Sequence, residues 1–342
     1  MRNVVVFVAI LLAAHLAMLA LGPGDAGASG EGVRVGVVFD VGGRGDKSFN
    51  DGAWQGADQA RRDLGARVRF IEPGEGTDRE AGLRLLAAEG MDLVVGVGFI
   101  FTDDLLQLAA EYPDTRFAGV DFAVPTDSLG RPRPLPPNLV ALKFREEEGS
   151  FLVGALAALA GGSRTVGFVG GMESPLIRKF EAGYAAGVKH VCPSCEVLSA
   201  YAGVTPAAFR NPGKGKELAL SQYGRGARVI YHASGSTGLG VFEAARAVRG
   251  LAIGVDADQY PEAPGFVLTS MVKGIDAAVF DAIRRVRDGT FAGGVRQFGL
   301  AERGVGFVDD ANNRALIPDP VRRRLAALLD SILAGRIVVP ST

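Results

Sequence analysis

The sequence predicts an α/β protein with two similar lobes, because short β-rich runs alternate with helical segments along most of the chain. Strands that alternate with helices indicate βαβ units and a parallel sheet. This alternation begins at Val33 and starts again at Thr165, so that the second half repeats the order of the first. We therefore expect two Rossmann-like lobes, each with a parallel sheet, around a ligand cleft.

Length, composition and charge fit this fold class and exclude some partners. The 342 residues are 48% hydrophobic and 22% charged, which is typical of a globular chain long enough for two domains. The formal net charge of −1 provides no basic field of the kind that holds nucleic acid. We therefore expect no nucleic-acid partner.

The first 28 residues have the pattern of a secretory signal peptide. Arg2 precedes an apolar run from residue 4 to residue 21, and small residues lead to Ala28. The run is also long enough to serve as a membrane anchor. No cysteine lies near the expected cut, which argues against a lipoprotein. We expect a mature protein that begins near Ser29 and is free in the periplasm.

The first strand and the turn after it predict a ligand site. Residues 35–39 form a short β-branched run, typical of a strand covered on both faces, and three glycines follow between residues 42 and 45. A helix through Trp54 comes next. Ligands bind where such strands end, so Asp40, Phe49 and Asn50 are expected in the cleft, although residues of these types also cap turns or fill cores.

The remaining elements of the first half continue the same alternation. Asp121 follows a hydrophobic strand, as Asp40 does, which strengthens the prediction of a cleft. Three acids at residues 146–148 open a helix and are interpreted as favourable to its dipole. Residues 125–138 contain five prolines and are expected to form a loop. The predicted strands are 68–71, 93–97, 116–120 and 139–144, and the predicted helices are 80–89, 105–110 and 145–159.

The second half adds a third aspartate at a strand end, Asp256. Its predicted strands are 166–169, 196–201, 229–232, 252–255, 267–271 and 304–308, and its helices are 175–190, 215–223, 276–287, 320–333 and one through Phe242. We expect one lobe to comprise residues 33–143 with about 266–295. The other would comprise residues 144–265 with about 296–342.

Six segments, taken in order, make the chain specific enough to compare with known families. They are DVGGRGDKSFN at residues 40–50, FREEEGSFLVGAL at 144–156, VGFVGGMESPLIRKFEAGY at 166–184, VIYHASG at 229–235, GVDADQY at 254–260 and LTSMVK at 268–273. Together they resemble the basic membrane protein or purine nucleoside receptor family, whose members are substrate-binding proteins of ABC transporters. The resemblance covers nearly all of the mature chain and implies a type I periplasmic-binding-protein fold.

The resemblance also implies roles for residues around a purine base. Phe49 and Phe209 would hold the base between their rings, and stacking on aromatic faces contributes about 1–3 kcal/mol per base in single-strand binders. Asn50 and Asp121 would form hydrogen bonds with the edge of the base. Asp40 would help to line the base pocket.

The sugar would lie against Asp256 and Lys273, by the same resemblance, since an ionised carboxylate can accept hydrogen bonds from two hydroxyls. The implied partners are a purine nucleoside and an ABC permease in the inner membrane. A monomer is expected, and no cofactor or metal is implied.

Two alternatives from other classes remain. The first is an exported nucleoside-processing hydrolase, which would need clustered aspartates for calcium, whereas Asp40, Asp46 and Asp51 are scattered. Neither His190 nor His232 belongs to a motif that pairs it with a nucleophile, so we expect no enzyme. The second is a ligand-sensing partner of a membrane receptor, which the sequence does not separate from a transport receptor.

Two further motifs are interpreted as structural. The segment 235–240 is rich in glycine, but it lacks the lysine of a phosphate loop. Cys192 and Cys195 lie between a helix and a strand, whereas a redox-active pair starts a helix. We expect either a local disulfide or two unreactive thiols there, away from the strand ends.

Overall fold

The computed structural model describes residues 32–72 and 79–342. The predicted signal peptide, residues 1–28, lies outside the described residues. Within the described part of the chain, no helix combines the length and the apolar character needed to cross a membrane.

The first sheet contains six strands, all parallel to their neighbours. Strand β1, next to the edge strand β2, is the run rich in β-branched residues that begins at Arg34, and its valines are fully buried. The spatial order is β11-β5-β4-β3-β1-β2. These strands are β1 (Arg34–Val38), β2 (Arg67–Ile71), β3 (Leu93–Val97), β4 (Arg116–Val120), β5 (Leu139–Phe144) and β11 (Gly294–Phe298).

The second sheet also has six strands and repeats this plan. Its order is β12-β10-β9-β8-β6-β7, and only the pair β10 and β12 is antiparallel. The predicted α/β class with two parallel-dominated sheets is confirmed. These strands are β6 (Thr165–Met172), β7 (Glu196–Gly203), β8 (Val229–Ala233), β9 (Leu251–Asp256), β10 (Val267–Lys273) and β12 (Val305–Phe307).

The helices cover the faces of both sheets. Helix α1 packs through small residues, because Ala53, Ala57 and Ala60 fall on one buried face. Its first turn contains Phe49 and Asn50, beside the end of β1. The helices are α1 (Phe49–Leu64), α2 (Arg79–Ala88), α3 (Thr102–Glu111), α4 (Glu146–Ala160), α5 (Pro175–Val191), α6 (Pro212–Gly224), α7 (Gly238–Val248), α8 (Ile275–Arg287) and α9 (Asp319–Leu333).

The chain changes sheet after β5, after β10 and after β11. The prediction assigned residues 266–271 to the first lobe, but β10 lies in the second sheet, where it pairs in parallel with β9. The chain therefore changes sheet near Gly274 rather than near residue 266. An apolar run predicts a strand without specifying the sheet it joins, because its composition suits either core.

Cys192 and Cys195 form a disulfide between the end of α5 and the start of β7. This is one of the two alternatives expected from the sequence. Neither residue is among those that line the cavity described below.

Candidate ligand-binding site

The carboxyl ends of the two sheets meet around one cavity. All seven residues predicted for the site line this cavity, and they come from both lobes: Asp40, Phe49, Asn50, Asp121, Phe209, Asp256 and Lys273. The structure therefore brings together side chains that are up to 233 positions apart in the chain, from residue 40 to residue 273.

The loop after β1 is organised by one buried carboxylate, that of Asp46. It accepts hydrogen bonds from the backbone nitrogens of Ser48 (2.9 Å) and Asn50 (2.9 Å), and from the side-chain nitrogen of Asn50 (3.0 Å). The side-chain oxygen of Asn50 accepts from the backbone nitrogen of Asp40 (3.1 Å). Asn50 thus holds the loop, and its amide keeps one proton and one lone pair for another partner.

The two aspartates at the ends of β4 and β9 share a special backbone conformation. Asp121 has φ 58° and Asp256 has φ 65°, in the left-handed region that aspartate adopts more readily than most residues. Such conformations cluster at functional sites. Here they turn the chain sharply at the strand end, where both side chains line the cavity.

Lys273 lies at the end of β10 and is buried in a network of charges. Its Nζ is 2.6 Å from Oδ2 of Asp121 and 3.2 Å from Oε1 of Glu146. Burial alone would lower the pKa of Lys273, but these two carboxylates outweigh burial and raise it. The ammonium is therefore charged at neutral pH, and it joins the two lobes through Asp121.

Asp256 has a different partner, Ser48 of the opposite lobe, which donates its hydroxyl to Oδ2 of Asp256 (2.6 Å). Burial raises the pKa of Asp256 to about 6, against the lowering effect of Lys273. Burial likewise raises the pKa of Asp40 to about 7, although the backbone nitrogen of Val41 donates to its carboxylate. Both carboxyl groups thus titrate near neutral pH.

Aromatic side chains form walls on both sides of the cavity. Phe49 comes from the first lobe, and the Nζ of Lys273 lies 5.2 Å from its ring centroid. Phe209 comes from the second lobe and meets Phe99 edge to face, with centroids 6.5 Å apart. The ring of Phe209 rests on Gly171 of β6, where a Cβ would lie 2.3 Å from the ring. Only glycine allows this approach.

Several residues at the site were not predicted. Glu146, interpreted from the sequence as favourable to a helix dipole, is 1% exposed and pairs with both Lys273 and Lys179. Its position two residues after the end of β5 was the signal that could have identified it. Phe99 and Phe180 also line the cavity, and no sequence pattern distinguished them from core residues.

His232 lies near the end of β8, and both of its ring nitrogens have hydrogen-bond partners, Gln259 and Ser234. It is fully buried, and burial lowers its pKa to about 4. No group of acids, histidines and cysteines in residues 32–72 and 79–342 is arranged to hold a metal ion.

A family model described as "ABC transporter substrate-binding protein PnrA-like", or Bmp, matches residues 33–341. The chain belongs to this family. The resemblance seen in the sequence is confirmed, and with it the functional class of an ABC transporter solute-binding protein. Membership in the Bmp family implies a small-molecule ligand and a transporter permease as partner.

Relatives of known name agree with Bmp membership. An uncharacterized lipoprotein of Pyrococcus horikoshii is 37% identical over 82% of this chain and 70% of its own length. The "ABC transporter nucleoside-binding protein BmpA" of Lactococcus lactis is 30% identical over 99% of both chains. The crystal structure of an ABC transporter solute-binding protein from Aeropyrum pernix K1 superposes with a TM-score of 0.80, at 32% identity, over 91% of this chain and 94% of that one.

The names of these Bmp relatives correct the predicted location. Two further Pyrococcus proteins are also named as lipoproteins. The prediction of a protein free in the periplasm is therefore contradicted, because these relatives are named as lipoproteins, which are held at a membrane by a lipid. The prediction rested on the absence of a cysteine near residue 28, and the cysteine positions of one chain are too narrow a basis for deciding how a protein is held at a membrane.

Proposed function

We propose that the cavity binds a purine nucleoside and that the closed complex is the form delivered to the permease. One observation carries this proposal: aromatic rings from both lobes and carboxylates at three strand ends line the same cavity. Flat bases stack on rings such as Phe49 and Phe209. Sugar hydroxyls are donors that a carboxylate such as Asp256 accepts.

The charges of the cavity favour an uncharged ligand. Its charged lining residues are four carboxylates and one ammonium, that of Lys273, which is already paired with Asp121. A phosphate would face an excess of like charge at short range and low dielectric, where repulsion is strong. The proposed ligand is therefore a nucleoside rather than a nucleotide.

The base edge would meet acceptors of the first lobe. Oδ1 of Asp121 is buried and has no hydrogen-bond partner within the described part of the chain. A buried acceptor in this state is stabilised by a ligand donor, such as a ring or amino N–H of a purine. Asp40, just after β1, and Asn50, in the first turn of α1, would complete the contact with the base edge.

The name of the Lactococcus lactis relative supports the proposal, because that protein is called nucleoside-binding and aligns over 99% of both chains. We propose further that this protein releases its ligand unchanged, without catalysis. A monomer suffices, since one chain supplies the aromatic residues of both lobes.

The test is calorimetric titration of protein that has been unfolded, freed of bound ligand and refolded. We expect guanosine, adenosine or inosine to bind, with guanosine monophosphate at least tenfold weaker than guanosine. Failure of every nucleoside to bind would overturn the proposal. Chromatography of the recovered ligand tests the absence of catalysis, and release of free base would show a hydrolase.

A further inference from the structure

We propose that Gln259 is a positioning residue that couples the occupied cavity to closure of the two lobes. Gln259 is 1% exposed and follows β9 in the second lobe. Its side-chain nitrogen donates to the backbone oxygen of Lys47 in the first lobe (2.9 Å). The inference about ligand coupling rests on the proposed function, whereas the bond between the lobes does not.

The orientation of the Gln259 amide is fixed by its neighbours. The backbone nitrogen of Val255 lies 2.8 Å from the side-chain oxygen of Gln259, and a backbone N–H can only donate. The oxygen must therefore face Val255, and the NH₂ group faces the carbonyl of Lys47. The hydroxyl of Ser270 accepts from the backbone nitrogen of Gln259 (3.0 Å) and anchors the residue.

The protonation of the two ring nitrogens of His232 follows from the same hydrogen-bond geometry. Its Nε2 lies 3.0 Å from the amide oxygen of Gln259, which is an acceptor, so Nε2 must carry the proton. The ring is neutral, because burial lowers the pKa of His232 to about 4. Nδ1 is then an acceptor, and it takes the hydroxyl proton of Ser234 (3.3 Å).

Ser234 lines the cavity and completes the connection. Because its proton points to His232, its oxygen lone pairs stay available for a donor of the ligand. The chain of hydrogen bonds therefore runs from the ligand through Ser234, His232 and Gln259 to the opposite lobe. It ends at Lys47, next to Ser48, whose hydroxyl also bonds across the lobes, to Asp256.

Gln259→Glu tests this series of hydrogen bonds, since a carboxylate of the same shape cannot donate to the carbonyl of Lys47. Gln259→Leu is the second variant and removes the donor without adding charge. The matched control is Gln222→Glu, because Gln222 is equally buried and donates to the backbone oxygen of Phe168 within one lobe (2.9 Å). Calorimetry with guanosine, adenosine and inosine gives affinity, and small-angle X-ray scattering gives the radius of gyration.

We expect both Gln259 variants to bind nucleoside at least tenfold more weakly, about 1.4 kcal/mol, and to have a larger radius of gyration without ligand than the parent. The Gln222 variant should keep the parent's affinity and radius. Gln259 variants with the parent's affinity and radius would overturn the inference. If the parent binds no nucleoside, the proposed function fails, and the radii of the ligand-free proteins still decide whether Gln259 holds the lobes together.

Discussion

Replacing Asp256 with alanine removes the carboxylate that Ser48 of the other lobe reaches at 2.6 Å. In the proposed complex the same carboxylate accepts from the sugar. Hydrogen bonds to a charged group contribute about 1.5–3 kcal/mol each, and 1.4 kcal/mol is about tenfold in affinity. We therefore expect Asp256→Ala to weaken nucleoside binding by about 10- to 100-fold. Lys273 keeps Asp121 and Glu146 as partners, so no buried ammonium is left unpaired.

The backbone at residue 256 requires a second variant. Its φ of 65° is unfavourable for alanine, which costs about 1–2 kcal/mol of stability. Asparagine tolerates this conformation, and Asp256→Asn keeps the shape while losing the charge. Calorimetry at pH 8 should show Asp256→Asn also weakened, by no more than Asp256→Ala. Unchanged affinity in both variants would refute the assignment of Asp256 to the sugar.

The raised pKa of Asp256 adds a pH test. The ionised form accepts the sugar hydroxyls, so affinity should fall as pH decreases through about 6. One pH unit below this pKa, the ionised fraction and the affinity are lower by about tenfold. Titrations of the parent from pH 8 to pH 5 should show this decrease, and Asp256→Asn should lack the part due to residue 256. A parent whose affinity does not change with pH would contradict the argument.

Three further predictions concern the aromatic wall, the disulfide and the second titrating acid. Phe49→Ala should weaken the binding of nucleoside and of free purine by a similar free energy, about 1–3 kcal/mol. A loss of affinity in calorimetry that is confined to nucleosides would contradict stacking on Phe49. Replacing both Cys192 and Cys195 by serine should lower stability by at most about 2 kcal/mol and change affinity less than tenfold, as thermal unfolding and titration will show. Burial raises the pKa of Asp40 to about 7, so the folded protein holds a proton that the unfolded chain loses above about pH 4. The stability due to Asp40 therefore falls from about pH 4 to pH 7, and Asp40→Asn should show a smaller fall in melting temperature between pH 5 and pH 8 than the parent.

The sequence was most informative about site residues whose position depends on a single strand. A hydrophobic run followed by an acid predicts a carboxylate at the edge of a parallel sheet, and Asp121 and Asp256 both lie there. Resemblance to the family was needed for Phe209, because its distance from any strand end is set by a loop. All seven predicted site residues line one cavity, and their roles in binding remain predictions.

Contacts between side chains of different strands and helices could not be predicted from the sequence. The prediction placed Asp256 and Lys273 side by side against the sugar, but the ammonium of Lys273 pairs with Asp121 and Glu146. Which carboxylate a buried lysine meets depends on how two lobes approach each other, and neither composition nor periodicity describes that approach. The same reason explains why β10 was assigned to the wrong sheet.

The contact between Phe209 and Gly171 limits the side-chain entropy that is lost when a ligand binds. A ring that rests directly on the main chain of a strand has little room to move back. Its side-chain entropy is therefore lost when the chain folds and need not be lost again when a ligand arrives. On this side the thickness of the ligand slot is set by the backbone of β6, so a bulkier ligand must be accommodated by moving a lobe rather than by rotating a side chain.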